Sequence, residues 1–549
     1  MMKIKTQWNG MKGERFMDRQ SVIRALTEGK AVLGMELGST RIKAVLIGED
    51  HEPVATGGYS WENRLEDGVW TYHLDDVWTG VQCAYAELKR DVYEKYGVTL
   101  KKLGGIGISA MMHGYLVFDA EGKQLAQFRT WRNTMTGEAS RELTRLFHFN
   151  IPQRWSIAHL YQAMLNREEH VPRIARLTTL SGYLHEQLSG VNVVGAGEAS
   201  GMMPLDSEKC DFDQPTVELF DEKVRAAGYP WNLRGILPRV ANAGEDAGAL
   251  TADGAKRLDP EGDLQPGAPM CPPEGDAGTG MVATNSVNVR TGNVSAGTSA
   301  FAMVVLEKPL ARVHEEIDMV TTPDGKPVAM VHCNNCTSDI NAWAKMLHGF
   351  AQAAGVPCDM NAVYTAIFEQ ALAGEKDCGG MVNVNYFSGE HLTGLTEGRP
   401  MLVRMPDTQP SFANLARSLV YGAIVTLKLG MDILVEQEHV KIDSLLGHGG
   451  FFKTGCAGQK LLAAALNTPV SVMATASEGG AWGMALLAAY RVNRRADEKL
   501  DEYLNNRVFA KSESKIAQPE AEDVEGFARY AKRFVQALEA EKAAVEGMK

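Results

Sequence analysis

The sequence predicts an α/β protein of two related lobes, on three observations. Short apolar strands separated by polar turns open the chain. A segment of helical period and further strands follow them, an α/β pattern that is not a simple βαβ start. After a stretch rich in Gly, Pro and Asp (240–275), strand, small-residue turn and strand recur. A pattern repeated within one chain reads most economically as duplication.

The elements follow from local pattern. Residues 31–36 are apolar and short, as a buried strand is, and Gly38-Ser39-Thr40 is a turn. Residues 42–47 and 54–59 complete a β-meander. Val77, Trp78, Val81, Tyr85, Leu88 and Val92 recur at helical spacing, with Asp75 and Asp76 near the helix start. Residues 105–109 and 115–118 read as strands, and 134–190 as mostly helical. In the second half, 287–294 and 301–306 flank the turn Ser295-Ala-Gly297-Thr298-Ser299. A helix is expected over 412–435, strands over 444–447 and 470–473, and helices over 457–467 and 479–490. Val524, Phe527, Ala531, Phe534 and Leu538 step by three and four, an amphipathic terminal helix expected to pack on the body. The expected division is an N-terminal arm (1–29), a first lobe (30–275), a second lobe (276–492) and a helical tail (493–549).

Composition narrows the function. At roughly 150 residues per domain, 549 residues allow about three to four units, or two large lobes and a tail. Hydrophobic residues are 45% and charged residues 23%, which excludes wholesale disorder. With 56 basic against 68 acidic side chains the net charge is -12, so no nucleic-acid partner is expected. No apolar run is read as approaching the roughly 18 residues that span a bilayer, the best being 481–490. Residues 1–20 have no signal core. A cytoplasmic protein with no membrane partner is expected. Of 8 cysteines only Cys333 and Cys336 are close, and no second pair follows, so reduced thiols are expected rather than a metal site.

Five segments could carry chemistry, each readable also as plain structure. Glu36-Leu-Gly38-Ser39-Thr40 could cradle phosphate on N–H groups and hydroxyls, with the carboxylate holding Mg²⁺ through water, or be an ordinary hairpin turn. Gly297-Thr298-Ser299 repeats that logic in the second half. Asp276 lies among Gly275, Gly278 and Gly280, where a tight loop would leave its carboxylate free to take a proton from an attacking hydroxyl. Gly447-His448-Gly449-Gly450 sits at a strand-to-helix junction and permits close contact with a flat ring or phosphates. It is not a Walker loop, because Cys456 stands where the lysine would be. Met112-His113-Gly114 follows a strand, and Trp131-Arg132-Asn133 could complete a pocket of ring face and polar donors.

In this order, these segments resemble the FGGY family of carbohydrate kinases, over roughly residues 30 to 492. The match to its first phosphate motif is Glu36 to Thr40, to its substrate motifs Met112-His113-Gly114 and Trp131 to Asn133, and to its catalytic Gly-Asp Gly275-Asp276. Gly297 to Ser299 matches the second phosphate turn. Gly447 to Gly450, continuing to Gly479-Gly480 and Gly483, is similar to the adenosine motif. Glu198-Ala-Ser200-Gly201 resembles an Asp-x-Ser-Gly segment, and Gly389-Glu390-His391 only part of a Gly-Glu-Arg stretch. Glu36 and Glu198 stand where Asp is usual, which shifts each carboxylate by about one methylene.

The resemblance implies two RNase H-like (actin-like ATPase) lobes around a central cleft, and ATP and Mg²⁺ as cofactors. It implies transfer of the γ-phosphate to a free sugar, with the Met-His-Gly segment nearer xylulokinases, hence a ketopentose such as D-xylulose. L-ribulose, a deoxy-sugar or a polyol are alternatives, as is a non-catalytic nucleotide switch. By the same resemblance Asp276 is the base and contacts substrate, Glu36 orients Mg²⁺, and Met112, His113, Gly114, Trp131 and Arg132 bind sugar. Gly38, Ser39, Thr40, Gly297, Thr298, Ser299, Gly447, Gly449 and Gly450 bind nucleotide. A homodimer is implied at family level only.

Overall fold

The computed structural model describes residues 18–408, 410–472, 479–512 and 514–548. Most of the expected N-terminal arm and the last residue of the expected strand 470–473 lie outside them. The first sheet holds β1 (Val32–Leu37), β2 (Arg41–Ile47), β3 (Pro53–Ser60), β4 (Gly105–Ala110) and β5 (Glu274–Gly275), in the order β5-β4-β1-β2-β3. The meander β1-β2-β3 is antiparallel, and β4 and β5 lie parallel beyond β1.

The second sheet holds β6 (Thr291–Ala296), β7 (Ala300–Val305), β8 (Ile317–Thr321), β9 (Pro327–Cys333), β10 (Ser444–His448), β11 (Val470–Val472) and β12 (Lys515–Ala517), in the order β8-β9-β7-β6-β10-β11-β12. Within it β9-β7-β6-β10-β11 repeats the order and directions of β3-β2-β1-β4-β5. The sequence hint of duplication thus has a structural counterpart. Two expected strands differ: β6 begins only at Thr291, and Leu116–Phe118 pairs with Arg176–Thr178 outside the first sheet.

Alternation along the strands divides the core. Leu33, Met35 and Leu37 of β1 pack with the apolar stripe of helix Leu74–Tyr96. Val32, Val45 and Ile47 face the other way, towards helices Asp276–Ala283 and Gly479–Asn493. Both helices but for the terminal Asn493 fall within 276–492, the range expected for the second lobe, yet they cover the first sheet. The approach is close enough to require glycine. A Cβ on Gly34 would lie 2.2 Å from the Ala481 carbonyl oxygen and 2.3 Å from the Ala485 nitrogen.

Helix Phe412–Asp432 fills the second lobe, continuing as a π-helical turn over Ile433–Gln437. It corrects the sequence reading of apolar runs, since Phe412–Gln437 is long and apolar enough to cross a membrane. Its apolar window is 72% buried inside the protein, so its hydropathy is that of a core helix. The terminal helix Ala521–Gly547 buries Phe527, Tyr530, Phe534 and Leu538 in the same core. Val524 and Ala531, expected in the stripe, are only partly buried. Tyr530, absent from the expected stripe, is buried because its hydroxyl bonds the carbonyls of Asn383 and Ser418 at 3.1 and 3.2 Å. Phe534→Ala is expected to cost about 3–5 kcal/mol, read as a lower urea midpoint. An unchanged midpoint would show that this helix does not share the core.

Candidate active site

The parallel strands align the chemistry. Glu36 pairs with Ser109, and Ser109 with Glu274, so β1, β4 and β5 end at one level. Just beyond that edge stand the Gly38 turn, the Met112 segment and Asp276. This is where parallel α/β sheets place ligands. The repeated unit does the same with the Gly297 turn after β6 and Gly449-Gly450 after β10.

Asp276 is the first residue of helix Asp276–Ala283, not part of an irregular loop as expected. The partial positive charge of the helix start favours its carboxylate there. One oxygen accepts the Met112 backbone N–H at 3.1 Å. The side chain is open to solvent, yet protein surrounds it on the remaining sides and raises its pKa, against the pull of the Met112 and Ala277 N–H groups. Gly275 serves packing, because a Cβ there would stand 2.6 Å from a Glu198 carboxylate oxygen.

Three further carboxylates surround this point. Glu36 is pushed up to about 7, first by burial and then by the charge of Asp276, with Lys43 opposing. Its Oε1 would lie 2.3 Å from a Cβ on Gly480, so Gly480 lets the helix start approach the carboxylate. Glu198 is fully buried and raised well above its usual pKa by burial. The Thr179 and Ser181 hydroxyls lie near it, but neither completes a hydrogen bond to its carboxylate oxygens. Glu274, which sequence reasoning missed, accepts the Glu198 N–H at 2.9 Å and the Gly197 N–H at 3.3 Å. Burial pushes it up to about 8. Its signal was position, directly before Gly275-Asp276.

The other expected site residues divide. Met112 is buried and presents its N–H to Asp276. His113 is buried in a left-handed conformation (φ 73°). Its Nδ1 lies 3.0 Å from the Gly201 carbonyl, and Nε2 accepts from Arg154 Nε at 3.2 Å. Both ring nitrogens are therefore engaged within the protein, and burial pushes its pKa to about 3. A second missed residue is Arg154, held by His113 and ion-paired to Asp318 of β8. Gly114 is buried (φ 105°), and its carbonyl accepts the Ser156 hydroxyl at 2.6 Å.

Trp131 is 40% exposed and donates to the Ser39 hydroxyl at 3.2 Å. Arg132 stacks 4.0 Å from the centroid of Trp70. Asn133 is no pocket donor, for its amide is spent on both backbone groups of Trp70 at 2.8 and 2.9 Å. Gly297 and Gly450 face open space. Gly447 instead admits the Phe452 ring, 2.5 Å from a Cβ position, and Gly449 (φ 100°) packs on Ala296. Gly480 packs against Glu36 and Thr279, Gly483 against Thr279, and Gly479 lies nearest the Lys43 ammonium.

The arrangement offers two turns able to bind an anion and, at Asp276, a solvent-open carboxylate able to act as a base. Two family models match the chain: the N-terminal domain of the FGGY family of carbohydrate kinases over 31–262, and its C-terminal domain over 292–492. The chain belongs to the FGGY family of carbohydrate kinases. It is a sugar kinase, a phosphotransferase with an alcohol acceptor that takes ATP. Similar proteins include xylulose kinase of Haemophilus influenzae, 20% identical over 83% of this chain and 90% of that one. Two solved structures from Lactobacillus acidophilus share the two-lobed actin-like fold. Its xylulose kinase has a TM-score of 0.75 at 17% identity, covering 94% of this chain and 99% of that one. Its gluconate kinase has 0.75 at 16%, covering 93% and 98%.

The residues of this FGGY kinase fit a magnesium ion brought in with nucleotide. The charge of Asp276 disfavours ionised Glu36, a repulsion that a divalent cation relieves. Among the described residues no group of three ligands encloses a metal. A Mg²⁺ held by one or two carboxylates, water and phosphate needs no such cage.

Raised carboxyls also set stability. An acid whose pKa is raised by folding stabilises fully below its unfolded pKa and loses that contribution as pH climbs through the folded one. For Glu274 that window runs from about 4.5 to about 8. Glu274→Gln should therefore melt progressively higher relative to wild type as pH rises from about 5 to about 8. A difference independent of pH would show that Glu274 is not protonated in the folded protein.

Proposed function

We propose that this kinase transfers the γ-phosphoryl group of ATP to a hydroxyl of a free ketopentose such as D-xylulose. The observation that carries the mechanism is the placement of Asp276. It sits at a helix start, open to solvent, and is fixed by the N–H of Met112 in the segment resembling the family's substrate motif. There its carboxylate accepts the proton of the sugar hydroxyl as that oxygen bonds to the γ-phosphorus, and the bond from phosphorus to the ADP oxygen breaks. The two turns hold phosphate oxygens. Glu36 would hold Mg²⁺, which supplies charge neutralisation on the phosphates. Arg154, with Nε on His113 and an ion pair to Asp318, presents a fixed cation to the sugar side. Trp131 offers a ring face.

The ketopentose follows from the Met-His-Gly segment and from the relatives named xylulose kinase. ADP release would be measured with ATP, Mg²⁺ and a panel of ketopentoses, deoxyhexoses, polyols and aldonates. Stimulation by a ketopentose is expected, with a loss of about a hundredfold or more in Asp276→Asn. Stimulation by another class alone would overturn the ketopentose. Release indifferent to every sugar would overturn the proposed transfer for this chain.

A further inference from the structure

Both phosphate turns share a feature that the motif itself does not specify. A turn offers an anion attractive N–H groups but also repulsive carbonyl oxygens. In the first turn Gly38 O accepts the Trp61 indole N–H at 2.7 Å, and Ser39 O accepts the Tyr72 hydroxyl at 2.6 Å. Thr40 O accepts the Trp61 backbone N–H at 3.2 Å. In the second turn Gly297 O accepts the Thr337 N–H at 3.0 Å and its hydroxyl at 2.7 Å. Thr298 O accepts the Cys336 N–H at 3.0 Å, and Ser299 O the Gly297 N–H at 2.9 Å.

Every carbonyl of both turns is thus engaged from within the protein. In a trans peptide the C=O and the following N–H point in opposite directions, and there are no cis peptides among the described residues. Anchoring the carbonyls of Gly38, Ser39, Gly297 and Thr298 therefore turns the N–H groups of Ser39, Thr40, Thr298 and Ser299 the other way. Those four N–H groups have no hydrogen-bond partner among the described residues.

We propose that Trp61, Tyr72 and Thr337 are positioning residues that hold the carbonyls of both turns away from the nucleotide and so aim their N–H groups at its β- and γ-phosphates. The inference rests on ATP as donor. The anchors are stiff. Trp61 and Tyr72 are buried and stack with centroids 4.2 Å apart. Burial pushes the Tyr72 phenol up to about 12, so it stays a donor. The Cys333 to Thr337 segment acts here as the clamp on the second turn.

The test is equilibrium binding of ATP, ADP and adenosine to full-length wild type, Tyr72→Phe, Thr337→Val and Thr337→Ser. Tyr72→Phe and Thr337→Val should weaken ATP and ADP about tenfold and leave adenosine unchanged, with KM for the sugar unmoved. Thr337→Ser restores the hydroxyl and should restore affinity. Wild-type affinity for ATP in both variants would overturn the inference, as would an equal loss for adenosine. If Tyr72→Phe fails to fold, the Thr337 pair decides alone. Failure of wild type to bind ATP would overturn the donor assignment and this inference with it.

Discussion

The structure depends on the parallel register of β1, β4 and β5. Because Glu36, Ser109 and Glu274 lie side by side, the residues that follow them emerge at one edge. A slip of one strand by two residues would carry Asp276 about 7 Å from Met112. Register is fixed from the sheet face by helix Gly479–Asn493, which sits on Gly34 and Gly107 at distances only glycine permits. The same helix brings Gly480 against Glu36. One packing contact thus sets both the strand edge and the carboxylate expected to hold the cation.

The electrostatics of the site have a cost. Glu36, Glu198, Glu274 and Asp276 are gathered where burial disfavours charge, and all are shifted upward. Glu198 and Glu274 are best held neutral, and a neutral acid tolerates burial that an anion does not. Asp276 differs because it opens to solvent, whereas Glu274, which also receives N–H groups, is buried. Environment, not residue type, separates the proposed proton acceptor from the buried acids around it.

Strands, the stripe of helix Leu74–Tyr96, both turns and Asp276 were legible because period and glycine placement are local properties. What the sequence hid was long-range. Helix Gly479–Asn493 follows β11 of the second sheet in the chain but packs on the first sheet, and apolar period cannot name a partner. His113 and Asn133 looked like donors to a pocket, but Arg154, Gly201 and Trp70 occupy them, and only the fold brings those together. Arg154 and Glu274 carry no motif. Hydropathy along 412–437 was underrated because interrupting Arg417 and Lys428 mask a run that the core buries.

The most direct test of Asp276 as base is the pH dependence of kcat/KM for the active sugar, at saturating ATP and Mg²⁺. The account predicts an acid limb whose apparent pKa lies above that of an ordinary aspartate, and its disappearance from the residual rate of Asp276→Asn. An acid limb at the ordinary aspartate value, or one that survives in Asp276→Asn, would contradict it.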